Sequence, residues 1–584
     1  MVESRHEEWP QRSWAMAIAG ALVGLAIDTL TRNHGSSDAL RTAIASALLT
    51  GGISLAFTIG RDRIAQSGAF AALAAILVGG TVYLNGGPDG WGDGEGWRPL
   101  CASLTGGIAA PLFPGWGHAR QPRPPRLSAL AYPQVHDRAW MNVLLWFACW
   151  AFAGIVFLLG HLLAELFALI GINLLREMMS KSWFALMLGG GSFGAASGLF
   201  RDREAILVTL QTVVRRVLSV LGPVLGFGLV VFLFALLFTG LDALWDATRA
   251  TTPILLSCVI AAVILANAAI GDSPEDEAKI AIIRWGTVAL CISMLPLAVI
   301  AAISTGLRVS QYGLTPDRLW AIVFDGVALA FGAAYLATLV RKRMGWWASI
   351  RPVNLWLVAG LSALVFVLAT PLVNFGAWSA ASQVRQLQSG AVSVKKFDWA
   401  AMKFDFGSPG VHALQMLAKS GKTTEIRAAA AKALKLENRY EAKADQRAIV
   451  EAEGLSSRII VKPVAVALPE PLLQRLARNN ACERTSTCVV IYTVGASEAI
   501  MVGKSCDNCS VMVEHLVREP KTQGWYGDYD RPPEMAAAKA AAAAAQPVGA
   551  KAETAALKAG KVEIRSITRR QVYVDGKEVG APFE

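Results

Sequence analysis

The sequence is poor in charged side chains. Asp, Glu, Lys and Arg make up 17% of its 584 residues, whereas soluble globular proteins carry about 25%. The shortage is concentrated before residue 375, where long apolar runs alternate with short polar loops. This pattern excludes a wholly soluble chain and predicts an α-helical polytopic membrane protein that ends in a soluble tail.

Several familiar motifs are also missing. We find no P-loop, other nucleotide-binding or metalloprotease motif, and we expect no cofactor and no metal. No small-residue cleavage pattern follows the first apolar run, which predicts a retained span rather than a cleaved signal peptide. The formal net charge of +11 arises mostly in loops between apolar runs, a pattern that orients membrane helices. We therefore expect the lipid bilayer, and no nucleic acid, as a partner.

The apolar runs define the candidate membrane spans, because a helix needs about 20 mostly apolar residues to cross the hydrocarbon. We predict about eleven spans: 13–30, 41–60, 66–85, 98–116, 140–173, 183–200, 221–244, 253–271, 283–306, 319–340 and 354–374. Pro111 and Pro114 interrupt the fourth run, which makes it the weakest. The fifth run is longer than a crossing needs, so it tilts or continues past the bilayer surface.

The number and the charges of these spans predict an orientation. An odd number places the two ends of the membrane region on opposite sides. With the amino terminus inside, the inside segments hold more than twice as many Lys and Arg residues as the outside loops. The positive-inside rule favours this arrangement. It places the acidic loop "GGPDGWGDGEGW" and everything after Asn374 outside.

Composition divides the chain into four regions. We expect a four-span region at 1–116, a Pro- and Arg-rich cytoplasmic linker at 117–139, a seven-span core at 140–374 and an outer α+β domain at 375–584, with an Ala-rich low-complexity segment at 535–560. Residues 203–217 carry apolar side chains at helical spacing. They are either an interfacial helix that ends at Gly222 and Pro223, or a cytoplasmic extension of the next span.

The tail has the patterns of a small α+β domain. Helical patterns cover 379–390, 394–404, 410–419 and 423–453. Strand patterns follow in "RIIVKPVAVAL", "CVVIYTV", "EAIMVGK" and "SVMVEHLV". The last segment predicts two strands joined by a type I′ turn at Asp575-Gly576.

The 8 cysteines fall into two groups. Four lie in spans, where we interpret them as small apolar packing residues: Cys101, Cys149, Cys258 and Cys291. The other four cluster in the tail: Cys482, Cys488, Cys506 and Cys509. An outside, oxidising location favours disulfides over zinc or free thiols for the second group. Their pairing cannot be deduced from the sequence.

Polar side chains inside a span need a physical reason, since a charge costs about 2.5–3.5 kcal/mol to insert. His161 and Glu165 lie four residues apart on one helix face. They are either a proton relay or ion site, or a polar pair that holds helices together. Asp325 and Asn267 complete the candidate intramembrane polar site, although each by itself is also typical of helix packing.

The stretch "RVSQYGLTPDR" is a short charged loop between two spans. Gly313 permits a tight turn, Thr315 is a predicted helix N-cap and Pro316 fits the first helical position. The charges exceed what a turn needs, which suggests a contact from outside with lipid phosphate or another anion; the alternative is a purely structural loop. The residues of this candidate contact are Arg308, Tyr312, Asp317 and Arg318.

The residues of this loop also carry a resemblance. "RVSQYGLTPDRLWA", the upstream "FTGLDALW" and the downstream "RPVNLWLVAGLSALVFVLATPLVNFGAWSAASQVRQLQSGAVSVKKFDWAAMKFDFGSPGVHAL" resemble a bacterial family of polytopic membrane proteins known as a domain of unknown function, number four-one-five-three. The resemblance covers about residues 140–415. It implies a bacterial inner-membrane protein, in which the orientation predicted above makes the tail periplasmic, and it brings no reaction, substrate or catalytic residue.

Three functions fit these observations. A permease-like transport protein is favoured by the many spans and their polar residues, although no inverted repeat is evident. An envelope sensor or assembly factor would use the tail and its cysteines to bind a protein partner. A membrane enzyme for lipid-linked substrates would need several acidic or histidine residues that converge at an outer membrane surface. Asp317 and Asp325, together with Arg318, form only a sparse cluster of this kind. We leave enzymatic activity open and favour its absence; catalytic residues and oligomeric state are unknown.

Overall fold

The computed structural model describes most of the chain, and its helices dominate. The described residues are 11–32, 38–60, 64–86, 97–113, 132–241, 250–342, 345–456, 458–478, 482, 487–504, 512–520, 523–527, 570–574 and 577–583. They form two compact units. The membrane unit comprises 1–383 with 405–410, and the second unit comprises 384–404 with 411–584.

The membrane unit is built from helices whose bounds follow the predicted spans. They are α1 (Gln11–Thr31), α2 (Ala39–Thr58), α3 (Ile64–Leu84), α4 (Trp97–Ala109), α5 (Tyr132–Leu169), α6 (Leu174–Met179), α7 (Ser182–Asp202), α8 (Glu204–Thr239), α9 (Thr251–Ile270), α10 (Ala281–Tyr312), α11 (Pro316–Lys342) and α12 (Trp346–Ala369). Within the described ranges, ten of these are long and apolar enough to cross a membrane. Large apolar side chains such as Trp14, Leu169 and Phe238 are exposed, as expected for helices that face lipid.

One end of the membrane unit, here called the near end, collects the start of α1 and the ends of α2 and α7. Arg12 donates hydrogen bonds to the carbonyl of Ile59 at 2.6 Å and to Asp202 at 3.5 Å. The start of α3 lies there too, because Ser67 donates to the carbonyl of Thr58 at 2.7 Å.

The opposite end, here called the far end, collects the ends of α3 and α12. Asn85 donates a hydrogen bond to the carbonyl of Ala369 at 2.9 Å. Arg98, at the start of α4, donates to Asn85 at 2.7 Å and to the carbonyl of Val373 at 3.1 Å. The start of α1 and the end of α12 therefore lie at opposite ends of the unit.

The predicted fourth span is only partly helical. The helix α4 has 13 residues, about 20 Å, which is too short for a crossing. The helix starts at the far end. Farther along the chain, the ring of Phe113 lies 4.8 Å from the ring of Phe70. Phe70 is six residues from the start of α3, which lies at the near end. Residues 97–113 thus cover most of the depth of the unit. The prolines explain the early end of the helix, since Pro111 removes a backbone donor.

The helix α8 decides between the two interpretations of residues 203–217. It runs without a break from Glu204 to Thr239, so the amphipathic stretch is an extension of the next span. The predicted stop at Gly222 and Pro223 is wrong. Gly286 of α10 packs directly on the ring of Pro223, and this close helix contact accommodates the proline inside α8.

The helices α1 and α7 pack unusually closely. Gly20 and Gly24 of α1 face Gly190 and Leu186 of α7, and any added Cβ would collide with the opposing backbone. Small residues spaced by four are the usual means of such close approach between membrane helices.

The second unit begins within a helix and continues as helices followed by a sheet. The helices are α13 (Phe375–Ser389, whose first part belongs to the membrane unit), α14 (Gly407–Ser420), α15 (Thr424–Leu434), α16 (Arg439–Leu455) and α17 (Glu470–Arg478), with a π-helical turn at Ala401–Asp405. The predicted helix 423–453 is two helices, because Asn438 caps α16 through the amide of Tyr440. The predicted helix 394–404 is helical only in its second part: residues 394–397 form turns, and a short α- and π-helical segment begins at 399.

A five-stranded sheet completes this unit. Its order is β1 (Ile459–Lys462), β2 (Thr487–Ile491), β3 (Glu498–Lys504), β4 (Met512–Arg518) and β5 (Trp525–Tyr526), with β1 parallel to β2 and the other pairs antiparallel. Leu472 and Leu476 of α17 pack in one core with Val490, Met501 and Leu516 of the sheet. Pro463 ends β1 earlier than predicted.

A separate hairpin lies at the end of the chain. β6 (Arg570–Val574) pairs antiparallel with β7 (Lys577–Phe583), and Val574 pairs with Lys577. The predicted hairpin is confirmed, while its turn residues Asp575 and Gly576 and the segment 535–560 lie outside the described residues.

Candidate functional site

The charged loop between α10 and α11 lies at the far end and has the predicted turn. Gly313 ends α10 with φ +72°, and its amide donates to the carbonyl of Val309 at 2.9 Å. A left-handed conformation of this kind favours glycine. Thr315 caps α11 as predicted, since its hydroxyl accepts a long 3.4 Å hydrogen bond from the amide of Arg318.

The side chain of Arg318 folds back over this turn. Its guanidinium donates to the carbonyls of Tyr312 at 3.0 Å and Gly313 at 2.6 Å, and lies 5.4 Å from the centre of the Tyr312 ring. A cation at the carboxyl end of a helix is favourable for the exposed carbonyls and for the helix dipole. Arg318 therefore holds the loop together, in addition to any contact with a ligand.

Two side chains of α13 fix the same loop, and the sequence analysis missed them. Ser382 accepts a hydrogen bond from the amide of Leu314 at 3.1 Å. Gln383 donates to the carbonyls of Tyr312 at 2.9 Å and Leu314 at 3.0 Å. Both lie in the quoted "SAASQVRQ" stretch, so the available signal was a polar pair at the start of the tail.

A large cavity extends below the loop. Its volume is about 1230 Å³, above the 300–1,000 Å³ typical of small-molecule pockets. Its walls come from α9, α10 and α11 and are mainly apolar. The apolar wall includes Leu256, Ile260, Val263, Ile264, Phe324, Val327 and Phe331. The polar mouth includes Arg308, Gln311, Tyr312, Asp317 and Arg318, so the structure brings the predicted anion-contact residues together.

The cavity is long and open along one side. From Pro316 at the mouth to Phe331 at the floor, α11 rises about 22 Å. Ile260 and Ile264 on one wall and Phe324 on the other are each partly exposed, so the opening continues sideways toward the region that lipid would cover. An apolar slot below a charged opening matches an amphiphile, whose apolar chain would lie in the slot and whose charged head would lie at the opening.

Asp325 lies behind the wall of the cavity. Its side chain is buried, and in the part of the chain that the structure describes neither carboxylate oxygen has a hydrogen-bond partner. The Thr305 hydroxyl of α10 faces the carboxylate without reaching it in good hydrogen-bond geometry, and Thr305 also lines the cavity. Asp325 thus occupies the interior position that the sequence analysis expected of an intramembrane polar residue.

Asn267 belongs to a different polar cluster, toward the near end. It donates to the hydroxyl of Tyr335 at 2.7 Å, which in turn donates to Asn354 at 2.9 Å. Asn354 closes the ring by donating to Asn267 at 2.7 Å, and the Tyr132 hydroxyl lies 3.4 Å from Asn354. These side chains, here called the polar ring, join α5, α9, α11 and α12.

The near end is closed around the polar ring. Phe331 at the cavity floor stacks on Tyr335, with ring centres 6.5 Å apart. Beyond the ring, the buried Arg351 donates to the carbonyls of Ile270 at 3.1 Å and Ser273 at 2.9 Å, and forms a 2.8 Å ion pair with Glu277. The polar ring and the contacts of Arg351 thus fill successive positions between the cavity floor and the near end.

The loop that carries Glu277 also holds a pair of acidic side chains. Asp276 forms an ion pair with Arg215 at 3.4 Å. The pKa of Asp276 is raised from its ordinary value, chiefly by a hydrogen bond shared with Asp272 and then by burial and by repulsion from the same Asp272. Within the described ranges, no three His, Cys, Asp or Glu side chains lie close enough together to hold a metal ion.

His161 and Glu165 do not form an interior pair. Both side chains are exposed on α5, and Glu165 forms a 3.3 Å ion pair with Arg176 of α6. The side chain of Met179, just before α7, lies over Gly160, which places His161 near the far end of the unit. Their spacing does put them on one face, but α5 is apolar on every side, so the sequence could not show which face points inward.

The cysteines fall into a disulfide pair, two residues outside the described ranges and four free thiols. Cys482 and Cys488 form a disulfide, which confirms the predicted chemistry for this pair. Cys506 and Cys509 lie outside the described residues. Cys101, Cys149, Cys258 and Cys291 are free thiols inside the membrane unit.

Comparison with known proteins identifies a family and nothing more specific. The family described as Domain of unknown function (DUF4153) matches residues 43–402. The match begins ahead of the segments quoted for the resemblance and so includes α2, α3 and α4. No curated protein and no solved structure matches the chain.

Proposed function

The chain belongs to the DUF4153 family, a domain of unknown function, and from the cavity at the far end we propose that it is a permease-like protein that takes up an anionic amphiphile from the bilayer. The single observation that carries the proposal is the amphipathic cavity of about 1230 Å³ under the turn at Gly313. The bilayer is both its surroundings and the source of its ligand.

The residues of the cavity support an anionic amphiphile rather than a water-soluble solute. The walls offer apolar contacts from Ile260, Phe324 and Phe331, which suit a hydrocarbon chain. The mouth carries Arg308 and Arg318, whose guanidinium groups suit a phosphate or carboxylate head. Asp317 at the same mouth disfavours ligands whose head carries a second negative charge.

The difference between the open far end and the occluded near end supports a transport function rather than a membrane part that only anchors the second unit. The cavity is open at the far end, while the polar ring and Arg351 occlude the near end. An alternating-access protein has one such state and a second in which the openings are exchanged. We assign the present arrangement to the state that receives ligand from the far side.

We further propose that the protein lies in the bacterial inner membrane with its near end cytoplasmic. The excess of Lys and Arg in near-end segments supports this orientation. The second unit is then periplasmic, where the Cys482–Cys488 disulfide would persist. In this location the α+β unit also offers a surface to an envelope protein partner.

The enzyme hypothesis has less support. Asp317 is exposed at the mouth, and Asp325 lies two helical turns deeper, about 12 Å along α11. Two carboxylates so arranged do not act on one bond.

The test is photo-crosslinking of the full-length protein in lipid nanodiscs. The probe is phosphatidylglycerol with a diazirine in one acyl chain, and zwitterionic phosphatidylcholine with the same diazirine is the control lipid. We expect the anionic probe to label α9 and α11 around Ile260 and Phe324, with competition by unlabelled phosphatidylglycerol. Equal labelling by both lipids at these residues would contradict the proposal. Saturable labelling without transfer across liposomes would favour the envelope-sensor alternative.

A cavity-filling variant gives the matched control. Ala321→Phe fills the cavity from α11, whereas Ala151→Phe adds the same side chain on the exposed surface of α5. The first variant should lose the competed labelling and the second should keep it.

A further inference from the structure

We propose that Asp325 is a proton-binding site whose protonation controls how tightly the cavity holds its anionic ligand. The inference rests on the proposed function for the identity of that ligand, but the proton site itself stands on the geometry around Asp325. Nothing in the packing of the helices requires a carboxyl group at this position.

The first step concerns the charge of the group. Asp325 is 4% exposed, and neither of its oxygens has a hydrogen-bond partner among the described residues. An ionised carboxylate in such a place is costly, so it must bind a cation. Thr305 supplies one hydroxyl and Asp325 one carboxylate, which is far short of the six or more oxygens that hard metal cations take. The fitting occupant is a proton.

The second step concerns the neighbouring charges. α9 contributes no charged side chain between Thr251 and Ile270. α12 contributes only Arg351, which is bonded to Glu277 at the near end. α10 contributes Arg308 and, far down the helix, Arg284.

The remaining charges around this part of α11 are Arg98 of α4, which bonds Asn85 and the carbonyl of Val373 beside the contact of Trp97 with Phe324, and those of the cavity mouth. Arg308 follows Thr305 by three residues on α10, and Arg318 precedes Asp325 by seven residues on α11. Residues three and seven apart share a helix face, so both arginines lie above the carboxyl on its own side of the helix pair. Asp317, one residue from Arg318, is the remaining charge on α11 in this half of the unit.

The third step is the route of the proton. Thr305 lines the cavity and faces Asp325, so it stands between water in the cavity and the carboxyl. A hydronium ion in the cavity gives its proton to the carboxylate and leaves as water. A small approach of the two side chains would let the Thr305 hydroxyl donate to the carboxylate before this transfer and accept from the carboxylic acid after it. Release reverses the same steps, and no other reactant is needed.

The coupling follows from electrostatics. A neutral carboxylic acid adds no negative charge beneath Arg308 and Arg318, so the mouth keeps its positive potential toward the head of the ligand. An ionised carboxylate below them competes for the same charge and lowers the affinity for an anion. Ligand and proton therefore bind together, and by linkage each raises the affinity for the other.

The experiment combines infrared spectroscopy with a binding assay on full-length protein in phosphatidylcholine nanodiscs. A pH titration should show a carboxylic-acid carbonyl band that titrates, is absent from Asp325→Asn and shifts in Thr305→Val. It should remain in Asp317→Asn, the matched control at the mouth. Short-chain phosphatidylglycerol, whose phosphodiester keeps its charge over this range, should bind roughly tenfold more tightly when the band is present. Asp325→Asn should remove this pH dependence, and Asp317→Asn should keep it.

Each outcome is decisive for one claim. Absence of a titrating band, or a band present at every pH, overturns the proton site whether or not the lipid binds. Loss of the band on raising sodium at constant pH shows a metal-cation site and also overturns it. Binding of phosphatidylglycerol that is independent of pH overturns the coupling and leaves the proposed function standing. No binding at any pH contradicts the proposed function, while the band still decides the proton site. Thermal unfolding of each variant checks that Asp325→Asn remains folded.

Discussion

The polar ring and the pair of Asp325 and Thr305 differ in how far their buried polar groups are satisfied. At the near end, Asn267, Tyr335 and Asn354 satisfy one another in a closed ring, and Arg351 bonds two carbonyls and Glu277. At the far end, Asp325 and Thr305 are buried beside a cavity with unmet hydrogen-bonding capacity. Satisfied groups stabilise packed helices, whereas unsatisfied groups beside an open space indicate a place for a ligand or a proton.

The largest expected effect is at the near end. Replacing Arg351 by Met should destabilise the protein by about 3–5 kcal/mol, because the partly buried Glu277 and two buried carbonyls lose their partner. Replacing Arg215 by Met should cost clearly less, since its partner Asp276 is half-exposed. Thermal unfolding in detergent measures both. Equal losses would show that Arg351 does not close the near end.

The polar ring and Thr305 give a direct comparison of the two ends. Asn354→Leu should cost about 2 kcal/mol, because Tyr335 and Asn267 lose hydrogen bonds inside the membrane. Thr305→Val should cost almost nothing, since its buried hydroxyl has no well-formed partner in the described structure. Thermal unfolding of the two variants side by side is the measurement. A larger loss for Thr305→Val would remove the distinction between the ends.

At the cavity mouth, the expected effect is on ligand binding rather than on stability. Arg308→Glu reverses a charge at an exposed position and should lower the affinity for phosphatidylglycerol roughly tenfold, with little change in thermal stability. Arg284→Glu reverses a charge far from the mouth on the same helix and serves as the control. A similar loss of affinity in both variants would indicate a general charge effect.

The smallest effect concerns pH and the near-end loop. Because the pKa of Asp276 is raised in the folded state, its contribution to stability is present below the ordinary carboxyl pKa of 3.8 and is lost as the pH rises through the raised value. The shared hydrogen bond with Asp272 is then replaced by repulsion. Asp276→Asn should flatten this part of the stability–pH curve, measured by thermal unfolding at a series of pH values. An unchanged curve would show that the two carboxyls do not share a proton.

The sequence predicts the local features well. Apolar run length fixes the spans, and Gly313 with Thr315 and Pro316 fixes the turn, because these depend on a few neighbouring residues. Pro111 and Pro114 also indicate from the sequence that the fourth helix is short.

Features that depend on contacts between distant segments were not predicted. The polar ring joins Asn267 to Tyr335 and Asn354 across three helices, and the cavity needs the relative tilt of α9 and α11. His161 and Glu165 are a second example of a feature that depends on packing. Their spacing was correct, but only packing shows that they face outward.

The most direct test of the contrast between the ends is side-specific thiol labelling. Val327, in the cavity wall, and Asn267, in the polar ring, are each replaced by Cys in oriented liposomes, and a membrane-impermeant maleimide is added to one side at a time. The account predicts that Val327→Cys reacts only with reagent at the far end and that Asn267→Cys reacts from neither side. Labelling of either cysteine from the near end, or no labelling of Val327→Cys from the far end, would contradict a cavity open at the far end and closed at the near end.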